Sequence, residues 1–158
     1  MRAGPFGAHP TLTPAHMPST TTRWGLAVVA ALLAHITLII ISIVCVAVYS
    51  YAIHPGETQA FYESFARASG PWVSLIAGGP VFYLFARWIR RRAPSAALRT
   101  AMAMAGFYLG IDVSVLLLWP GDDVAALPFV IGGFLLKVAG AWFGAGGTAS
   151  RLYAKTDG

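Results

Sequence analysis

Four long apolar stretches divide the chain, at residues 24–52, 71–89, 96–119 and 125–149, each closed by a cluster of charged, proline or glycine residues. The shortest holds nineteen residues. About 20 apolar residues at 1.5 Å rise match a hydrocarbon thickness of ~30 Å. The pattern predicts an all-α integral membrane protein, a four-transmembrane-helix bundle spanning residues 23–151 between a tail at 1–22 and a second tail at 152–158.

The first stretch carries Arg23 and Trp24 at one end and Tyr49 and Tyr51 at the other, the aromatic placement of two lipid–water boundaries. Its 29 residues would reach roughly 43 Å, so tilt or a protruding end must absorb the excess. A secretory signal needs an apolar core of only about 7 to 15 residues; this run is expected to stay as the first helix. His54-Pro55-Gly56 stops it.

In the segment 57–70, Phe61, Phe65 and Ala68 recur at helical spacing and Glu63 stands four residues before Arg67, the favourable ion-pair order. This predicts a short amphipathic helix at the outer surface, opened by Thr58 and closed by Gly70, with Pro71 beginning the second span. Within that span, Gly78-Gly79-Pro80 predicts a kink, because proline lacks the donor for the Ile76 carbonyl. A break of this kind persists in lipid only where protein or water satisfies the freed group, so it marks either helix packing or a ligand.

Small residues define two faces. In the third span Gly106, Gly110 and Ser114 follow Met102 at intervals of four, and in the fourth Gly140 and Gly144 repeat that spacing beside Gly132 and Gly133. Small residues four apart let helices approach closely in lipid.

Charge then orients the bundle. The connection between the second and third spans holds Arg87, Arg90, Arg91, Arg92 and Arg99, five of the eleven Lys and Arg residues. Short arginine-rich loops remain cytoplasmic, which places both termini inside, with Arg151 and Lys155 on the same side and Arg67 opposite. Only 11% of residues are charged and 57% are hydrophobic, against about a quarter charged in soluble domains. The net charge of +5 is therefore read as topology, and no zinc spacing or nucleic-acid signature accompanies it. The single cysteine, Cys45, allows no intrachain disulfide. The tail at 1–22 lacks acidic residues and periodicity and is expected to be disordered, its His9 and His16 solvated. Nine arginines against two lysines and no asparagine fit a GC-rich genome and a bacterial inner membrane.

Orientation sets depth. His35 lies twelve residues beyond Arg23, Asp112 thirteen beyond Arg99, and Lys137 fourteen before Arg151, or roughly 18, 20 and 21 Å from the basic side. An unpaired Asp or Lys at that depth costs about 2.5 to 3.5 kcal/mol. Pairing of Asp112 with Lys137 is expected, with Tyr108 one turn before Asp112 donating to the same carboxylate and His35 approaching from the first helix. The cluster reads either as a proton- or cation-binding carboxylate or as an ion pair that fixes helix register.

Three functions follow. One is a non-enzymatic accessory or assembly subunit whose partners are the bilayer and other membrane subunits, or a second copy. Another is a proton-coupled or cation-conducting transporter acting as a homo-oligomer through Asp112. The third is a pigment, haem or quinone subunit using His35, although no cofactor is required by the residues and a second histidine at matching depth is missing. His54, Glu57 and Glu63 at the outer surface supply carboxylates and an imidazole, but no nucleophile motif, phosphate loop or metal-ligand spacing points to an enzyme.

Overall fold

Alanines make up most of the buried face of the first helix. The computed structural model describes residues 21–118 and 127–147, and among these every regular element is helical. Helix α1 (Trp24–Val48) runs on through a π-helical turn at Tyr49–Ile53, α2 spans Gln59–Arg92, a 3-10 turn occupies Pro94–Ala96, and α3 (Ala97–Leu118) and α4 (Leu127–Gly144) complete the bundle. Residues 1–20, residues 119–126 with Asp122 and Asp123, and residues 148–158 with Arg151 and Lys155 lie outside the described residues.

The segment 57–70 differs from the expectation of a separate surface helix. It is the first part of α2, which continues through Gly70, Pro71 and Pro80 as one 34-residue helix. Gly70 does not act as a left-handed cap; among the described residues only Gly56 and Gly146 have positive φ, each 87°. The chain reverses at Gly56, and the Thr58 hydroxyl accepts from the Phe61 amide at 3.4 Å to start α2. Proline at position 71 removes one ladder bond but also one donor, and the continuous register on both sides carries the helix past it. Gly78-Gly79-Pro80, where the sequence predicts a kink, lies inside the same continuous helix. Aromatic stacking fastens this reversal. Tyr49 lies over Phe65 with ring centroids 3.6 Å apart and planes within 4°, while the Tyr62 hydroxyl donates to the His54 carbonyl at 2.6 Å.

The helices alternate in direction. The Arg23 amide donates to Thr100 Oγ1 at 3.2 Å, which sets the start of α1 beside the start of α3, and the Arg90 guanidinium rests against Gly146 just beyond α4. One end of the bundle thus gathers Arg23, Arg87, Arg90, Arg91, Arg92 and Arg99; the other carries His54, Glu57, Glu63 and Arg67. Both α2 and α3 contact all three other helices, and α1 and α4 flank them.

Ala27, Ala30, Ala31, Ala34 and Leu38 form the buried face of α1, whereas Leu32, Leu33, Ile36, Ile39, Ile40 and Ile43 are exposed. Water-soluble helices place their large apolar residues the other way round. The α1 segment Trp24–Ile53 and α2 are each long and apolar enough to cross a membrane, and Pro128–Gly144 is a shorter apolar helix. Phe82, Ile89, Met104 and Thr100 are the largest completely buried side chains.

The most extensive pairing joins α2 to α4. A methyl group at Gly140 would collide with the Gly79 carbonyl oxygen, and one at Gly144 with the Tyr83 carbonyl oxygen and Ala86 Cβ. The helix ends earlier than the sequence pattern predicts, at Gly144 instead of residue 149. The Gly146 amide bonds back to Phe143 at 3.1 Å and the Gly147 amide to Trp142 at 3.0 Å, and together with the left-handed Gly146 these form a Schellman cap. By contrast, among the described residues nothing occupies the space where a side chain at Gly106 or Gly110 on α3 would be, and Ser114 is exposed.

Gly140→Leu is expected to destabilise the protein by about 1–3 kcal/mol through overpacking against α2, while Gly106→Ala leaves the isolated chain as stable or slightly more so. Thermal unfolding of detergent-solubilised variants, followed by tryptophan fluorescence, measures both. Equal tolerance at the two positions would contradict the close α2–α4 approach.

Candidate functional site

Asp112 occupies the fifth turn of α3, where its carboxylate meets Lys137 of α4 and faces His35 of α1. Lys137 Nζ on α4 lies 3.3 Å from Asp112 Oδ2 and donates to Ser74 Oγ on α2 at 2.9 Å. From α1, His35 Nδ1 lies 3.8 Å from Asp112 Oδ1. Tyr108, one turn before Asp112 on α3, stands beside the same cluster, its ring 5.4 Å from that of His35. The ring of Tyr108 also underlies Lys137 Nζ at 4.5 Å and packs edge-on to Phe82 at 4.9 Å. An ammonium over an aromatic face adds attraction that strengthens away from water.

Local structure explains how the lysine reaches this point. Side chains on a helix tilt toward its N-terminus, so Lys137 leans toward the Phe129 end of α4 and away from the arginines. Its stem crosses Gly78, where an added methyl group would lie only 3.0 Å from Lys137 Cγ and Cε. Gly78 therefore belongs to this site as a groove for the lysine stem, and Ser74, one turn earlier on the same face of α2, receives the ammonium.

The three charged or chargeable side chains are not equally enclosed. Lys137 is 4% exposed, against 36% for Asp112 and 27% for His35. Burying an ammonium requires an opposite charge and further acceptors, and Asp112, Ser74 and the Tyr108 ring supply them. His35 is different: its Nδ1 is buried and has no hydrogen-bond partner among the described residues. A proton on that nitrogen would face Asp112 Oδ1. The site thus offers one carboxylate to two bases, with the lysine engaged and the imidazole close but unbonded.

A cleft of about 270 Å³ opens beside the cluster, with Gly70, Pro71 and Phe129 toward the end remote from the arginines and Ser74, Asp112 and Lys137 at its inner part. Its remaining walls are the apolar Leu109, Val113, Val130 and Phe134. This arrangement suits binding and release of a proton or a small polar group at Asp112 from a largely apolar passage.

The sequence pattern did not reveal Ser74 or the role of Gly78. A helical projection of α2 contains the signal, since Ser74 is four residues before Gly78 and polar within an apolar span. Other candidates lie elsewhere. Glu63 accepts from Gln59 at 2.8 Å and stands 4.0 Å from Arg67 at the exposed outer part of α2, while His54 packs against Tyr49. His54 is nineteen residues from His35 on the same arm of the chain, and among the described residues no three His, Cys, Asp or Glu side chains converge on one point. Gly106, Gly110 and Ser114 do not line this cleft, and Arg87, Arg90, Arg91, Arg92 and Arg99 sit at the far end.

Lys137→Met should lower stability by about 1–2 kcal/mol, below the ~3–5 kcal/mol of a fully buried pair because Asp112 is partly open and unfolded helices in lipid find other partners. Combining it with Asp112→Asn should restore part of the loss. Strictly additive losses in a double-mutant cycle would show that the two side chains are energetically independent. No family model, no curated protein and no solved structure matches this chain.

Proposed function

We propose that the chain is a four-crossing protein of a bacterial inner membrane, with the arginine end cytoplasmic, that works as a non-enzymatic subunit against partner transmembrane helices. One observation carries the association: of two small-residue faces, Gly140–Gly144 is consumed by α2, whereas among the described residues Gly106–Gly110–Ser114 has nothing against it. In lipid, close approach through small residues is a main source of helix association, so the bare face on α3 supports a partner helix there. The segregation of Arg23, Arg87, Arg90, Arg91, Arg92 and Arg99 at one end supports the orientation.

A second reading rests on a different observation, the unbonded His35 nitrogen beside a carboxylate that a cleft reaches from the other end. Here Asp112 takes and releases a proton, Lys137 supplies the counter-charge and His35 passes the proton on, in a self-associated transporter. Intramembrane ionisable groups with named partners favour function of this kind.

Extraction in mild detergent should recover stoichiometric partner helices, and Gly110→Leu should release them without unfolding the chain. A protein that always migrates as a lone monomer, with or without that change, would refute the subunit reading. Proton uptake into liposomes that Asp112→Asn abolishes would instead favour the transport reading. For orientation, a cysteine at Ser95 in a Cys45→Ser background should resist impermeant thiol reagents in intact cells and react after lysis; labelling in intact cells would invert the topology.

A further inference from the structure

The guanidinium cluster at the arginine end forms a pocket that topology alone does not require. Arg87, Arg90 and Arg91 line a cleft of about 320 Å³ between α2 and α4, together with Tyr83, Phe143 and Gly144. On a helix, positions 87, 90 and 91 share one face. Arg87 Nη1 reaches the Tyr83 hydroxyl at 3.5 Å, and Arg90 is held against Gly146. None of the three is paired with a carboxylate among the described residues, where Asp112 and Glu63 are the acids engaged in ion pairs. Arg92 is occupied differently, its guanidinium lying 4.8 Å over the Trp88 ring. Three adjacent positive charges repel one another and create a field that an anion with several acceptor oxygens relieves.

The surroundings restrict which anion fits. Gly144 brings α4 close to α2 at the floor of the pocket, and Phe143 projects outward beside it. Leu136, seven residues earlier on the same α4 face, is also exposed. An apolar track therefore leaves the guanidinium cluster along the bundle surface, in the direction in which lipid chains run. We infer that this pocket is a binding site for an anionic phospholipid, with the headgroup phosphate on Arg87, Arg90 and Arg91 and an acyl chain along Phe143 and Leu136. Basic pockets between helices at a membrane surface recognise acidic headgroups in this way. The inference rests on the chain being embedded in a membrane and is independent of which side the arginines face and of the role of Asp112.

Native mass spectrometry of the delipidated full chain, titrated with phosphatidylglycerol and with phosphatidylcholine of identical chains, tests it. Wild type should bind the anionic lipid at least tenfold more tightly. At roughly fivefold per arginine, Arg87→Gln/Arg90→Gln/Arg91→Gln should weaken that binding by about a hundredfold, whereas Arg92→Gln should change it little. The corresponding triple lysine variant keeps the charge that orients the chain, so retained helicity and partial lipid preference in that variant separate a lost site from faulty insertion. Equal affinity for the two lipids, or full preference in a helical triple glutamine variant, would overturn the assignment. So would inorganic phosphate that binds as tightly as the lipid and displaces it, since the pocket would then hold a free ion. Alkaline carbonate extraction distinguishes the premises: a chain stripped from membranes fails the membrane reading, and one that stays embedded without lipid preference fails this inference alone.

Discussion

The missing side chains of Gly140 and Gly144 are the constraint on which the rest of the bundle depends. With any larger residue there, α4 could not rest on the backbone of α2 at Gly79 and Tyr83. That approach lays the Lys137 stem across Gly78 and delivers its ammonium to Ser74 and Asp112. Close packing and polar pairing are therefore one structural event. Separating α2 from α4 would take Ser74 away from the buried ammonium, a cost added to the loss of dispersion contacts between small residues. The lysine in turn makes the packing specific, because a one-turn slip of α4 would carry its ammonium away from both Ser74 and Asp112.

Much of this was legible in the residues. Each long apolar stretch overlaps one of the α-helices among the described residues, since period and length are properties of the chain itself. Depth counting from arginines brought His35, Asp112 and Lys137 into one layer because a helix advances by a fixed rise. The extent of α2 was not legible. Gly70-Pro71 has the composition of a boundary, yet whether glycine adopts positive φ depends on what the chain must do next, and Gly56 had already made the reversal. Ser74 escaped for a related reason: a hydroxyl in an apolar helix acquires meaning only when a partner is opposite, and that partner lies sixty-three residues away. Similarly, the two small-residue faces look equivalent in sequence, and only the geometry distinguishes the one in contact from the one left bare.

The distribution of residue size also explains how a chain so rich in aliphatic side chains can have so little conventional core. Alanine and glycine fill the interior near α1 and α4, while leucine and isoleucine point outward from α1. In water that arrangement would favour aggregation. In hydrocarbon it removes no favourable interaction, because lipid solvates the large side chains and small ones bring the backbones together.

The pairing of Asp112 with Lys137 has an electrical consequence. One carboxylate and one ammonium 3.3 Å apart form a dipole with no net formal charge. Moving one uncompensated elementary charge through the full potential drop of a membrane is worth ~2.3 kcal/mol per 100 mV. A displacement that carries α3 and α4 together would feel almost none of that energy, whereas one that parts the two side chains would feel it on each of them.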